Sequence, residues 1–167
     1  MSDLPAAMQT RGRQPDDVFQ PDELLYRRVP PIHWEDWDED IELDAIELPD
    51  MSVVRSKYAH PEWVRFEGTT YKFSNWGVVG FRVDSIPPEL QHLGVYRYTF
   101  DVRHDPKKQN FPHSEVRAYE DGNHVTLSES LDAHLHLRWR EQLSRRLRKL
   151  LGPNQNVDVR QEPPPID

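Results

Sequence analysis

The chain of 167 residues contains no cysteine and only seven glycines. The absence of cysteine excludes disulfide bonds, thiolate metal sites and a cysteine nucleophile, and it suits a reducing compartment. The glycines never take the spacing of a phosphate-binding loop, which excludes a nucleotide site of that kind. Apolar runs are also short, and none approaches the roughly 18 residues that span a bilayer. These absences predict a soluble cytoplasmic protein with no membrane contact and no cofactor.

The composition leaves room for only a small hydrophobic core. Apolar residues make up 36% of the chain, charged residues make up 30%, and the net charge is −8. Five Trp, six Tyr and six Phe help to fill the core, because each buries a large area. The negative charge argues against a general nucleic-acid coat, although a local basic patch could still bind nucleic acid.

Both ends of the chain are polar and differ in composition from the middle. We expect residues 1–21 to form a flexible lead-in and residues 153–167 to form a proline-rich flexible tail. The intervening section, 22–152, predicts a single domain. Much of it consists of short segments rich in β-branched and aromatic residues, which are typical of strands.

The end of this domain predicts one long helix, from about 129 to 151. Leucine or tryptophan recurs there every four residues and would form an apolar stripe. Acidic residues occupy the first turn, basic residues occupy the last turns, and Gly152-Pro153 ends the helix. The whole pattern predicts an α+β fold, in which a long C-terminal amphipathic helix packs on one face of an antiparallel sheet of about five to seven strands.

Two of the predicted strands, 95–104 and 113–119, are apolar on one side and ionisable on the other. Side chains alternate between the two faces of a strand, so the ionisable positions share a face. Asp121-Gly122 predicts a two-residue hairpin turn that places Tyr119 opposite His124. One face of the sheet, called the polar face below, would then carry Arg97, Asp101, Arg103, His113, Glu115, Arg117, His124 and Thr126.

The polar face has two interpretations. As a catalytic site, it would use His113 and His124 as general acid and base, with Glu115 orienting or replacing one of them. Arg117 and the other arginines would hold a phosphate, as a metal-independent RNA-cleaving or phosphoryl-handling enzyme requires. As a solvated surface, the face would carry only cross-strand ion pairs, which are common on exposed sheets. No metal site is predicted, because the histidine spacing matches no zinc pattern.

Charge is segregated elsewhere in the chain. The acidic segment, residues 35–50, contains nine carboxylates and no basic residue, whereas the basic segment, residues 138–149, contains six Arg and Lys against one Glu. The two segments could pair within the molecule, or each could bind a partner of opposite charge, including nucleic acid on the basic helix face. The candidate binding residues at these segments are Trp34, Trp37, Arg145 and Arg148, in addition to Arg97, Asp101 and Arg103 of the polar face.

Two short motifs resemble those of a group of uncharacterised small bacterial proteins. They are Tyr26-Arg27-Arg28-Val29-Pro30 and Asn110-Phe111-Pro112-His113, the second preceded by Asp105-Pro106. The resemblance implies no activity, and it draws attention to His113 and to Arg27 or Arg28.

The patterns favour a non-catalytic accessory module that binds a protein partner through its charged surfaces. The alternative is the metal-independent enzyme described above. The enzyme requires a concave site in which both imidazoles reach one phosphate, and the module requires an accessible charged surface that fits a partner.

Overall fold

The computed structural model describes residues 8–38, 41–92, 96–126 and 133–155. These ranges contain eight strands and one α-helix, joined by loops and short 3₁₀ helices. The strands are β1 (Leu24–Val29), β2 (Asp50–Arg55), β3 (Gly77–Arg82), β4 (Glu89–His92), β5 (Tyr96–His104), β6 (His113–Glu120), β7 (Asn123–His124) and β8 (Arg148–Leu151), and the helix is α1 (Ala133–Ser144).

All strand pairs in the sheet are antiparallel. The strand order is β4-β5-β6-β2-β1-β3-β8, and β7 extends the sheet beside β6 as the second arm of a hairpin. An antiparallel sheet combined with a helix confirms the predicted α+β class, and the sheet has eight strands where about five to seven were predicted. β2 lies between β1 and β6, and this placement brings distant parts of the sequence together at the sites described below.

The predicted long C-terminal helix is wrong. α1 covers only Ala133–Ser144, and after a turn the chain continues as β8, which pairs with β3. The leucines of 147–151 are compatible with a helix or with a strand. The strand forms because this segment can pair with the open edge of β3, which outweighs the local helical pattern. Leu151 is buried in a cluster with Tyr26 and Val78, which favours the strand. The start of the predicted helix, 129–132, lies outside the described residues.

The main core lies on the face of the sheet opposite the polar face. As the alternation predicts, Val116 and Ala118 of β6 are buried there together with Phe100 of β5. Trp139 of α1 is fully buried in the same cluster, its ring stacks on Phe100 at a centroid distance of 4.8 Å, and its indole N–H donates to Pro87 O at 3.0 Å. Among the helices that the structure describes, none has the length and apolar character that crossing a membrane requires.

The described part of the predicted lead-in, residues 8–21, runs across one end of the sheet. Met8 is buried, and its carbonyl accepts a hydrogen bond from the Phe111 N–H at 2.9 Å. Asp16 lies 3.4 Å from Arg55 and 3.0 Å from Lys57, and it accepts a hydrogen bond from the Tyr58 hydroxyl at 2.6 Å. The rest of the predicted lead-in and residues 156–167 of the predicted tail lie outside the described residues.

Candidate functional site

The polar face extends across β5, β6 and β2. In the register between β5 and β6, Asp101 lies opposite Arg117 and Arg103 lies opposite Glu115. On the other side of β6, Ser52 of β2 lies opposite Glu115. The side-chain alternation therefore gathers these ionisable residues on one face, as predicted.

The Asp121-Gly122 turn gives the hairpin its predicted register. Asp121 has φ 49° and Gly122 has φ 86°, the two positive values of a type I′ turn. This turn places Tyr119 opposite His124. His124 Nε2 lies 2.8 Å from Asp50 Oδ1, so this imidazole is held by a carboxylate of β2.

The arginines of the polar face are paired with carboxylates beside them. The pairs are Arg97–Glu89 at 3.0 Å, Arg103–Asp101 at 3.1 Å and Arg117–Glu115 at 3.1 Å. The first two pairs are largely exposed and contribute little to stability, the third is half-buried, and a paired arginine is less available to an incoming phosphate. Along most of its length, the polar face has the character of a solvated surface of ion pairs.

His113 and His124 lie at opposite ends of the hairpin. His124 pairs with Tyr119, which is six residues along β6 from His113. At a rise of about 3.3 Å per residue, the two positions are roughly 20 Å apart. The structure therefore does not bring the two imidazoles together on one phosphate.

His113 is buried at the start of β6, and hydrogen bonds hold its ring. Nδ1–H donates to Asp105 O at 2.7 Å, and Nε2 lies 3.3 Å from Ser52 Oγ, which can donate to it. Burial lowers the pKa of His113, and the hydrogen bond to the Asp105 carbonyl only partly opposes it. The ring is therefore neutral near pH 7. In the part of the chain that the structure describes, no group of three or more His, Asp or Glu side chains is placed to hold a metal ion.

A cleft of about 330 Å³ opens beside His113, where β1 and β2 diverge. The two strands pair only at Leu25–Arg55 and Tyr26–Val54. Beyond these pairs, the Arg27 guanidinium fills part of the gap and donates to Ala45 O at 2.6 Å and to Ser52 O at 2.8 Å. The lining includes Tyr26, Arg27, Arg28, Ser52, Asn110 and His113, together with the carboxylates of Asp44 and Glu47, which are paired with Arg140 and Arg27.

The alternation along β5 and β6 does not reveal this cleft. Its residues come from β1, β2 and the loop before β6, which become neighbours only because β2 lies between the other two strands. The sequence feature that indicates the cleft is the pair of motifs at 26–30 and 110–113, because both motifs contribute side chains to its lining.

The acidic segment is attached to the sheet at its beginning. Lys149 of β8 donates to the carbonyl of Glu35 at 2.5 Å and to that of Asp38, and its Nζ lies 4.7 Å from the Trp34 ring. Trp34 is buried and packs over Gly77 so closely that a Cβ there would lie 2.3 Å from the ring. Trp34 therefore anchors the segment and presents little surface to a partner.

Trp37 has the opposite environment, because 82% of its surface is exposed. Its indole N–H donates to Glu35 Oε2 at 3.0 Å, and the Asp38 N–H donates to Glu35 O at 3.3 Å, which closes a turn around the tryptophan. Ile32, five positions earlier, is 77% exposed. Two large apolar side chains are thus displayed at the start of the acidic segment.

Part of the acidic segment is neutralised within the molecule. Arg140 pairs with Asp44 at 3.1 Å and Arg27 with Glu47 at 3.4 Å, and two histidines contact carboxylates of the segment, His33 at Glu42 and His124 at Asp50, both at 2.8 Å. Only Arg140 of these partners belongs to the basic segment. These contacts involve the middle and the end of the acidic segment, whereas Lys149 holds the turn that carries Trp37 through its backbone carbonyls.

The predicted basic helix face is wrong, because the basic segment is not one helix. It is divided among α1, the turn that follows it and β8. Arg145 lies in the turn and Arg148 begins β8, and both are exposed. Arg146 is directed back to the protein and donates to Ser85 O at 2.6 Å. These cations do not form the continuous helical stripe that the nucleic-acid hypothesis requires.

Comparison with protein-family models, with curated proteins and with solved structures finds no match to this chain. The functional argument therefore rests on the chemistry of these surfaces and of the cleft.

Proposed function

We propose that this protein is a non-catalytic interaction module that binds a basic protein partner through the acidic segment, with Trp37 as the central contact. The observation that carries the proposal is the 82% exposure of Trp37. Tryptophan is enriched among the residues that dominate binding energy at interfaces. Here it is exposed, whereas Trp34, three residues earlier, is buried and anchors the same segment.

The turn around Trp37 is held in place before any partner binds. Lys149 binds two of its carbonyls, and the Glu35 carboxylate holds the indole N–H. A side chain that is already ordered loses less conformational entropy on binding. The contacts of Lys149 therefore support the presentation of Trp37 as well as the local fold.

The charge around Trp37 favours a basic partner. Asp36 and Asp38 flank Trp37 directly, Glu35 lies two positions before it, and the chain as a whole carries a net charge of −8. Complementary charge accelerates encounter and selects against acidic competitors. The binding should therefore weaken as the salt concentration rises.

The test is affinity capture with the tagged full chain from its native host, followed by binding measurements with the purified partner. The chain offers a matched control, because Leu137 is a large apolar side chain on α1 that is 43% exposed. Wild type and Leu137→Ala should bind the same basic protein, and Trp37→Ala should bind it at least tenfold more weakly. Lys149→Met should give an intermediate loss, because Trp37 remains but its turn is released.

Two results would contradict the proposal. One is a set of captured proteins that is the same for wild type and Trp37→Ala. The other is a captured partner that is acidic and whose affinity does not change with salt concentration.

A further inference from the structure

Among the described residues, Arg28 has no carboxylate within ion-pair distance, unlike Arg27 and Arg55 of the sheet and Arg65 of the 3₁₀ helix at Pro61–Arg65. Arg27 lies 3.4 Å from Glu47, Arg55 lies 2.7 Å from Glu23 and Arg65 lies 3.0 Å from Glu62. Among the described residues, the only hydrogen-bond acceptor recorded for Arg28 is Val64 O, at 3.1 Å from Nη1. A guanidinium has five N–H donors, so most of the donors of Arg28, which lines the cleft, have no acceptor among the described residues.

The surroundings of Arg28 favour an anion. Burial lowers the pKa of Arg28 and the positive charge of Arg27 lowers it further, and together they outweigh the opposing effect of the Glu67 carboxylate. The Glu67 carboxylate also acts on Arg28, but its close partner is Lys72, at 2.7 Å. An anion bound in the cleft would supply the missing negative charge.

The cleft also contains a buried acceptor that has no donor. Asn110 Oδ1 is buried, and no described residue donates a hydrogen bond to it. Nearby, the contact between Ser52 Oγ and His113 Nε2 is long, at 3.3 Å, so the Ser52 hydroxyl can rotate toward a ligand and leave Nε2 as a free acceptor. A ligand with a hydroxyl or N–H group in addition to its anionic group could bind Ser52 and His113 while its anionic group binds Arg28.

Aromatic rings form one wall of the cleft. The Arg28 guanidinium lies 3.7 Å from the centre of the Phe73 ring, and the rings of Phe73 and Trp76 contact edge to face at 4.8 Å. The volume of about 330 Å³ falls at the lower end of the range for small-molecule sites. The cleft is thus large enough for a small ring compound and too small for a folded partner.

We propose that the cleft between β1 and β2 binds a small organic anion, a phosphate monoester or a carboxylate on a flat ring, through the guanidinium of Arg28. Asn110, Ser52 and His113 supply the polar contacts that orient the ligand. Arg27 is a positioning residue, because its own donors are bound to the carbonyls that keep the cleft open.

The test is calorimetric titration of the full chain with four probes: inorganic phosphate, phenyl phosphate, benzoate and uncharged benzyl alcohol. Phenyl phosphate or benzoate should bind, and comparison of these two identifies which anionic group the cleft prefers. Benzyl alcohol should bind at least tenfold more weakly, because it cannot form charge-assisted hydrogen bonds. Arg28→Met should weaken binding of the preferred probe tenfold or more.

Arg97→Met is the matched control, since Arg97 lies on the exposed part of the same sheet and is paired with Glu89. It should leave the affinity unchanged. Arg28→Lys keeps the positive charge but loses the planar guanidinium group, so it should bind the preferred probe with intermediate affinity. This variant also provides the test if Arg28→Met fails to fold. The proposal is overturned if no charged probe binds the wild type at millimolar concentration, or if Arg28→Lys and Arg97→Met lose affinity equally. Trp37→Ala should bind the probes normally, which separates this site from the partner surface.

Discussion

Replacement of Arg55 tests how the segment before β1 is attached to the sheet. Arg55 is fully buried, and it forms a two-point contact with Glu23, Nε to Oε2 at 2.7 Å and Nη2 to Oε1 at 2.8 Å. It also donates to Val18 O at 2.7 Å and to Asp16 O, and its guanidinium lies 3.9 Å from the centre of the Phe19 ring. One side chain therefore joins β2 to several points of the preceding segment.

Arg55→Met removes the cation and leaves the Glu23 side chain, which is 7% exposed, without its partner. Loss of one member of a buried pair costs about 3–5 kcal/mol of unfolding free energy, a large part of the roughly 5–15 kcal/mol that stabilises a typical domain. The double variant Arg55→Met with Glu23→Leu removes both charges and should recover most of this loss. It should remain about 1–2 kcal/mol below wild type, because the carbonyls of Asp16 and Val18 still lose their donor.

The assay is urea unfolding followed by tryptophan fluorescence, with the midpoint and the slope compared among the three proteins. Two results would refute the reasoning. A loss below about 1 kcal/mol for Arg55→Met would show that the buried pair is not formed. A double variant that is no more stable than Arg55→Met would show that the unpaired Glu23 is not the cause.

The remaining predictions concern pH and two glycines. His104 is neutral in the fold, since Nδ1 accepts the Asp16 N–H at 2.7 Å and Nε2–H donates to Phe111 O at 2.6 Å, and burial lowers its pKa. Below about pH 6.5, the unfolded chain therefore binds more protons at this histidine than the folded chain does. The free energy of unfolding should be constant above that pH and fall below it. In urea unfolding measured at a series of pH values, His104→Gln should reduce this fall. Gly77→Ala should cost about 1–3 kcal/mol in the same assay, because its Cβ would meet the Trp34 ring at 2.3 Å. Gly122→Ala, which has open space and φ 86°, should cost only about 1 kcal/mol, and equal losses for the two would contradict the packing argument.

The sequence predicts best what depends on neighbouring residues. The alternation in β5 and β6 and the Asp121-Gly122 turn are local, and they determine the polar face and the pairing of Tyr119 with His124. The position at which the helix ends does not depend on neighbouring residues alone. Whether 148–151 forms a helix or a strand depends on the open edge of β3, which lies about 70 residues earlier in the chain.

The acidic segment and the cleft also differ in how far local sequence predicts them. Local composition identifies the acidic segment and its tryptophans, but it does not distinguish them, because the burial of Trp34 depends on distant residues such as Gly77, Val79 and Lys149. The cleft depends on the position of β2 between β1 and β6, so Arg28 and His113 become neighbours through long-range pairing. Patterns along one strand contain no information about such pairing.

The most direct test of the proposed function is the affinity of the purified basic partner for the wild type, Trp37→Ala and Leu137→Ala. The account predicts that wild type and Leu137→Ala bind equally, and that Trp37→Ala binds at least tenfold more weakly while keeping the unfolding midpoint of the wild type. Equal affinity of all three proteins would contradict the claim that the exposed Trp37 of the acidic segment is the centre of the binding surface.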